Sequence, residues 1–410
     1  MTKISFTILL SFVVALSAYA QQRRATIVKR PLTTTQRTEI QNVVITESIS
    51  LPNDTALVTK AKAGDATAQW KVGKCYFDGE KGVMIDNKEA FKWFQKSAEQ
   101  DNPFAKFYLG RCYDEGFAVI VNYTKANAFY KEAVKGLDTL ALEGNSDAQY
   151  LLGMCYDSGF GIEENISEAI KWYKAAAEHD NVEAQCELGF IYSEDGRVKK
   201  SYADAVKWYK SAAEQGNAGA QCNLGFCYEK GRGVTKSFNE AAKWYRLAAE
   251  QGLPDAQYNL AVCYENGNGV TLSHTEAVKW YKISADSYVK KYVKDSDFKQ
   301  LGNTGIYYKV LKDGNGARPT AMSKVSFNYE VSNMKNEIFD SSYERDEPAI
   351  MQINQIIVGL QKALLAMRVG SHWEIVIPYN LAYGAQGGGD NIRPYSPLVF
   401  QIELMNIEKR

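Results

Sequence analysis

A motif of about 36 residues recurs six times between residues 56 and 285, and this recurrence restricts the fold more than any other feature of the chain. The Ala68-Gln69 position returns at Ala105, Ala148, Ala184, Ala220 and Ala256. A bulky aromatic follows at Trp93, Phe129, Trp172, Trp208, Trp244 and Trp280, with spacings of 36, 43, 36, 36 and 36. A unit this short cannot bury an apolar face alone, so successive units must stack. One copy shows the parts. In Ala220-Gln221-Cys222-Asn223-Leu224-Gly225-Phe226-Cys227-Tyr228, small residues let helices approach closely, and Gly231-Arg232-Gly233-Val234 turns the chain. Ala241, Trp244, Tyr245, Ala248 and Ala249 then recur at helical spacing, before Glu250-Gln251-Gly252 ends the second helix. The pattern predicts an all-α solenoid of helix-turn-helix repeats.

These strings resemble the Sel1-like repeat, a relative of the tetratricopeptide repeat. The resemblance implies antiparallel helix pairs whose concave surface binds a protein partner. Irregular copies carry their own expectations. Seven extra residues around Gly136–Leu142 amount to nearly two helical turns, so the buried face stays in phase. Glu194-Asp195-Gly196-Arg197 replaces the usual turn and should change its shape. Ala261 stands where other copies have Gly, as in a capping unit. The aromatic and cysteine stripes read as core. Cys75, Cys112, Cys155, Cys227 and Cys263 share one phase of the repeat, and Cys186 and Cys222 another. Equivalent positions lie about 10 Å apart in stacked helices, beyond the reach of a disulfide. Buried small hydrophobes are therefore the preferred reading over bridges, although export would permit bridges.

The first twenty residues read as a signal peptide: a positive start at Lys3, an apolar run from Ile4 to Leu16, and the small-x-small Ala18-Tyr19-Ala20. The run falls short of the roughly 20 residues of a membrane span, and no Cys follows Ala20 as a lipid-anchor site would need. The expectation is an exported chain, periplasmic or secreted, with no membrane span after cleavage. Residues 21–55 are polar and aperiodic, and read as a flexible leader. Charges balance at 48 Lys+Arg against 48 Asp+Glu, so nothing suggests a nucleic-acid partner.

After 285 the character changes. Residues 286–304, with Tyr288 and Tyr292 four apart, read as a helical connector broken at Gly302-Asn303-Thr304-Gly305. From Gly305 the period alternates. Ile306–Leu311, Val325–Tyr329, Trp373–Pro378 and Leu398–Ile407 read as strands, and Gln361–Met367 as a short helix. Residues 305–410 thus predict an α+β domain.

Within it stand Phe339-Asp340-Ser341-Ser342, Leu381-Ala382-Tyr383-Gly384-Ala385 and Leu398-Val399-Phe400-Gln401-Ile402-Glu403-Leu404. Together these strings resemble the FK506-binding-protein (FKBP) family of peptidyl-prolyl isomerases. The resemblance implies a curved antiparallel sheet over one short helix, and a pocket walled by Tyr329, Phe339, Ile356, Ile357, Ile392 and Phe400 with Leu360 as its floor. It gives Tyr383 the role of hydroxyl donor to a substrate carbonyl and the Ile357 amide a second carbonyl. Asp340 would face the twisting amide. Such chemistry needs no nucleophile. The barrier of about 18–20 kcal/mol comes from partial double-bond character, and a dry site that holds the prolyl ring lowers it electrostatically and by orientation. Two departures matter. Leu360 and Ala349 replace family aromatics, which leaves a second reading open: a scaffold that binds proline peptides with little turnover.

No cofactor or metal is expected. His179, His274 and His372 lack ligand spacing, and no Walker loop, Rossmann fingerprint or serine elbow occurs. The expected partners are proline-containing or unfolded exported polypeptides at the pocket and a protein on the solenoid.

Overall fold

The computed structural model describes residues 54–408 except 80–82, 84, 295–296 and 390. The expected signal segment and nearly all of the leader lie outside the described residues. The chain forms two compact units that divide between Gln215 and Gly216.

In the first unit a helix Thr55–Lys62 precedes four helix pairs: Ala66–Asp78 with Asn87–Ala98, Pro103–Glu115 with Tyr123–Leu142, Ser146–Ser158 with Ile166–Glu178, and Val182–Ser193 with Tyr202–Glu214. Polar N-caps start them: Asn145 accepts the Ala148 amide at 2.9 Å and Asn181 that of Ala184 at 2.9 Å. Each such cap is worth about 1 kcal/mol. The repeated Gln ties consecutive helices together. Gln149 donates to the Ala141 carbonyl at 3.0 Å and Gln185 to that of Ala177 at 3.1 Å.

The expected aromatic stripe holds in part, with Trp93 and Trp172 buried, but the more consistent burial is one residue on. Tyr130, Tyr173 and Tyr209 are buried, whereas Phe129 and Trp208 are only partly so. Each buried tyrosine packs on the glycine of the facing helix. A Cβ on Gly189 would lie 2.4 Å from the Tyr209 ring. The hydroxyls find partners at the end of that helix, as Tyr173 does in Asp157 at 3.3 Å and Tyr209 in Ser193 at 3.1 Å. Lysine chains cover the outer side of the tryptophan column, with Lys96 over Trp93 at 4.6 Å and Lys207 over Trp208 at 4.9 Å.

Both irregular copies here behave as their sequences imply. The helix Tyr123–Leu142 has 20 residues, and its buried Ala126, Tyr130, Ala133, Leu137 and Ala141 keep one face. In the fourth pair Glu194 ends the first helix without a left-handed cap. Arg197 reaches back to the Asp157 carboxylate at 2.5 Å, to Glu164 at 2.9 Å and to Asp195 at 2.6 Å. Burial raises the Asp157 pKa most, and Arg197 only partly offsets it.

The second unit contains two further pairs, Ala218–Lys230 with Phe238–Glu250 and Pro254–Asn266 with His274–Tyr292, followed by a seven-stranded sheet. Gly231, at φ +68, ends the first of these helices in the left-handed region. The strands are β1 Lys299–Gln300, β2 Tyr307–Lys312, β3 Lys324–Ser332, β4 Ile338–Ser341, β5 Ala349–Gln352, β6 His372–Ile377 and β7 Leu398–Ile407. Their order is β1-β2-β6-β7-β3-β4 with β5 also on β3, and every pairing is antiparallel. One helix, Val358–Ala366, packs against this sheet. A Cβ on Gly359 would meet Ile377 at 2.3 Å, so the glycine sets how closely helix and sheet approach. The architecture is therefore an all-α repeat solenoid followed by an α+β domain.

Three expectations need correction. The connector is helical only as far as Tyr292, where the last repeat helix ends, and Lys299–Gln300 pairs with β2. The short helix begins at Val358 rather than Gln361, because Gln361 closes its first turn through the Ile356 carbonyl at 2.7 Å and the Ile357 carbonyl at 3.0 Å. The sixth copy is not a bare cap: Val289 near its end packs with Val376 and Val399 of the sheet.

No disulfide joins the seven cysteines, all of them among the described residues, and all but Cys186 are buried. Burial pushes the Cys112, Cys186 and Cys263 thiols up to about 12. No helix among the described residues is long and apolar enough to cross a membrane.

Candidate active site

Strand pairing brings the polar part of the site together. Asp340 on β4 stands opposite Val331 on β3, two residues from Tyr329. The Tyr329 hydroxyl donates to one Asp340 oxygen and Arg345 Nη1 to the other. Arg345 Nη2 also donates to the Tyr329 oxygen at 2.9 Å, and its guanidinium lies 5.7 Å from the Tyr329 ring centre. Burial pushes the Asp340 carboxyl up, but these donors outweigh it and hold it below the usual carboxylate range. Burial and the bond to Asp340 raise the Tyr329 hydroxyl.

Ser342 fixes this corner from beneath. Fully buried, its Oγ accepts the Tyr329 amide at 2.8 Å, and its own amide donates to the Tyr329 carbonyl at 2.9 Å. The Phe-Asp-Ser-Ser string thus owes its last serine to backbone positioning.

The apolar part is one cluster. Leu360 and Phe400 belong to its buried centre, and Tyr329, Phe339, Ile356, Ile357, Ile392 and Ala349 pack against it. Phe327, which the sequence reading did not single out, joins Tyr329 with ring centres 5.8 Å apart. Ile357 caps the helix Val358–Ala366, and among the described residues its amide has no main-chain acceptor. Leu360 lies in the first turn of that helix and is buried, and Ala349 lies on β5 opposite Phe327.

Tyr383 stands outside the cluster, 44% exposed, in the loop after β6. Its ring rests on Gly388, where a Cβ would approach to 2.8 Å. Gly388 and Ile392 exchange main-chain hydrogen bonds of 2.9 and 3.1 Å, so the bed beneath Tyr383 is joined to a wall of the cluster. Eight of the nine expected residues therefore meet around β3, β4, β7 and the helix, and Tyr383 joins them through this loop. Arg345 is the polar member that sequence reasoning missed. The only hint was its place five residues after Asp340, in the charged run Glu344-Arg345-Asp346-Glu347.

Such a site holds a partly exposed carboxylate, an exposed phenol and a largely apolar floor, and among the described residues no nucleophile is poised beside a base. It suits binding and twisting of an apolar amide better than covalent chemistry.

Comparison with known proteins agrees. Residues 316–405 match the family model of the FKBP-type peptidyl-prolyl cis-trans isomerase. Six matches to the Sel1 repeat, at 66–102, 103–136, 146–181, 182–217, 218–253 and 254–288, together take up more than half of the chain. The peptidyl-prolyl cis-trans isomerase Mip of Coxiella burnetii is 42% identical over 112 residues, 27% of this chain and 48% of that protein. The FKBP-type 22 kDa peptidyl-prolyl cis-trans isomerase of Escherichia coli is 40% identical over 120 residues, 28% of this chain and 58% of that protein. The outer membrane protein MIP of Legionella longbeachae is 36% identical over 106 residues, 26% of this chain and 46% of that protein. The chain spans about half the length of the curated relatives it matches. On these matches it belongs to the Sel1 repeat family and ends in a domain of the FKBP-type peptidyl-prolyl cis-trans isomerase family.

Proposed function

We propose that this protein is an exported peptidyl-prolyl cis-trans isomerase that acts as a folding factor, with residues 305–410 as the isomerase domain and the repeats of 56–285 holding a client or partner. The observation that carries the reading is the Tyr329–Asp340–Arg345 group at the edge of an apolar cluster that contains Phe339, Ile356, Ile357, Leu360, Ile392 and Phe400. In this reading the cluster takes the prolyl ring, the Ile357 amide and the Tyr383 hydroxyl each take a substrate carbonyl, and Asp340 faces the twisting amide. The twisted amide loses its conjugation and is better matched by a dry, preorganised site than by water. The repeats raise the local concentration of a bound chain at the pocket. Uncatalysed isomerisation takes tens to hundreds of seconds, slow enough to limit folding after export. The leader-like first twenty residues support export.

The test is exchange NMR on a proline peptide with the full chain. The expected result is acceleration that falls by about 10-fold or more in Asp340→Ala and Tyr383→Phe. No acceleration by the native protein would sink the isomerase reading.

A second reading, a scaffold that binds proline peptides with little turnover, is favoured by Leu360 and Ala349 in place of aromatics. Both sit in or against the apolar cluster, so they change the flat area offered to a prolyl ring.

A further inference from the structure

Tyr395 occupies a backbone position that its residue type disfavours. The Ser396 amide donates to the Arg393 carbonyl at 3.2 Å across Pro394 and Tyr395, and Tyr395 has φ +59. A turn with proline second and positive φ third takes Gly or Asn at that third place. A bulky aromatic there persists only where its surroundings hold it.

Aromatic rings hold it on two sides. Tyr395 stacks on Tyr281, with ring centres 5.2 Å apart and planes within 8°, and meets Tyr379 at 5.2 Å and 57°. Tyr281 is buried in the last repeat helix, its hydroxyl donating to Glu265 at 2.7 Å and its ring lying 5.1 Å from Tyr258. Arg393, two residues before Tyr395, lies over Tyr258 at 5.5 Å. The last repeat pair thus supplies two rings to one loop.

That loop also carries the candidate site. The Tyr395 amide donates to the Gly384 carbonyl at 3.0 Å, next to Tyr383, and the Gly384 amide donates to the Tyr379 carbonyl at 2.8 Å. Ile392, three residues before Tyr395, is bonded to Gly388 beneath the Tyr383 ring.

We propose that Tyr395 is a positioning residue, through which Tyr281 and Tyr258 of the last repeat pair hold the loop that presents Tyr383 and Ile392. The final repeat is then a working part of the prolyl-peptide site and not only a tether. The inference rests on the isomerase reading of that pocket for its functional consequence. The loop presents walls and donors that hold the peptide in ground and transition state alike, so a loosened loop costs binding first.

Amide hydrogen exchange on the full chain tests the clamp without needing turnover. Tyr395→Gly suits the turn but removes the ring. A merely local turn role makes that loop as well protected or better, whereas the clamp makes exchange at Gly388 and Ile392 about 10-fold faster. Tyr329 and Ile402 in the sheet serve as unchanged references. Tyr281→Leu, which keeps the helix core filled, gives the same rise, and Tyr281→Phe, which keeps the ring, does not. Unchanged loop exchange in Tyr281→Leu overturns the proposal. In the isomerase assay Tyr395→Gly and Tyr281→Leu raise KM about 3- to 10-fold with kcat nearly kept, and the double variant is no worse than the worse single one. A KM that stays put in a chain that does turn over also overturns it. Absence of turnover in the native chain defeats the isomerase reading, while the exchange result still decides the clamp.

Discussion

Asp340 takes its donors from two directions, Tyr329 across the strand pair and Arg345 from the turn that follows, and this sets its titration. Its carboxyl ionises below the usual carboxylate range although burial acts the other way. The unfolded chain therefore binds more protons than the folded one in the window just below pH 4. The group's contribution to stability is present above that window and is lost as pH falls through the folded value. The expected outcome is a carbon-detected NMR midpoint for Asp340 below about 3.9, which moves up in Arg345→Ala once the guanidinium is gone. A midpoint unmoved by Arg345→Ala would show that Tyr329 and the Ser341 amide hold the charge without Arg345. Leu360 offers a second test at this scale. Replacing it with Trp adds flat area at the floor but crowds a packed site, at a cost of about 1–3 kcal/mol. If the native chain turns over, Leu360→Trp raises kcat/KM only a fewfold. If that change alone creates turnover in exchange NMR, the native domain is a binder. Of the nine proposed residues, Tyr329, Phe339, Asp340 and Phe400 stand on strands. Alternation hints at the place of Tyr329 and Phe400, whereas Phe339, Asp340, Ile356, Ile357, Leu360, Ile392 and Tyr383 came only from the family resemblance. Arg345 was not legible, because a turn residue reaches Asp340 through a conformation that no periodicity encodes.

At the level of elements, periodicity located the helices well and told less about which face each residue takes. Trp93 and Trp172 are buried as the stripe implies, yet the more consistent buried column lies one residue on, at Tyr173, Tyr209, Tyr245 and Tyr281. The neighbours differ by one position, about 100° around a helix, and hydrophobicity alone favours the larger ring. At Tyr173, Tyr209 and Tyr245 the facing glycine leaves room for the ring, and in all four an acid or serine sixteen residues before the tyrosine is the partner of its hydroxyl. Gly225→Ala should therefore force a methyl to within 2.8 Å of the Tyr245 ring. A loss of about 1–3 kcal/mol is expected, read as a lower urea midpoint for the native chain. An unchanged midpoint would mean that the helix pair accommodates the methyl at no cost; in the sixth pair Ala261 and Tyr281 already share one buried cluster. Strands β4 and β5 escaped the sequence reading for a different reason. Each has four residues, and Ile350 and Met351 are both exposed on β5, so no alternation marks them.

For the molecule as a whole, the change from helical to alternating period near residue 305 was plain in the sequence, but the packing does not break there. The second compact unit runs from Gly216 through the sheet. Helix His274–Tyr292 carries Val289 onto Val376 and Val399, with Tyr292, Val293, Phe298, Tyr307 and Met334 around them. Tyr292 donates to Glu374 at 2.7 Å, and Lys335 pairs with Asp255 at 2.6 Å. Sequence could not reveal this, because Val289 and Val376 each look like ordinary members of their own elements. Burying one valine side chain is worth about 1.5–3 kcal/mol, so removing the helix uncovers an apolar sheet face at a cost of at least that order. A fragment of residues 300–410 should accordingly unfold at lower urea than one of residues 216–410, with the difference followed by sheet circular dichroism. Val289→Ser in the longer fragment should reproduce part of the loss, since it strips the contact while leaving the helix in place. Equal midpoints for the two fragments would mean that the sheet domain is stable without the last repeat pair. In that case Val376 and Val399 would be tolerated as exposed surface, and the shared core around Val289 would serve to fix orientation and not to hold the fold.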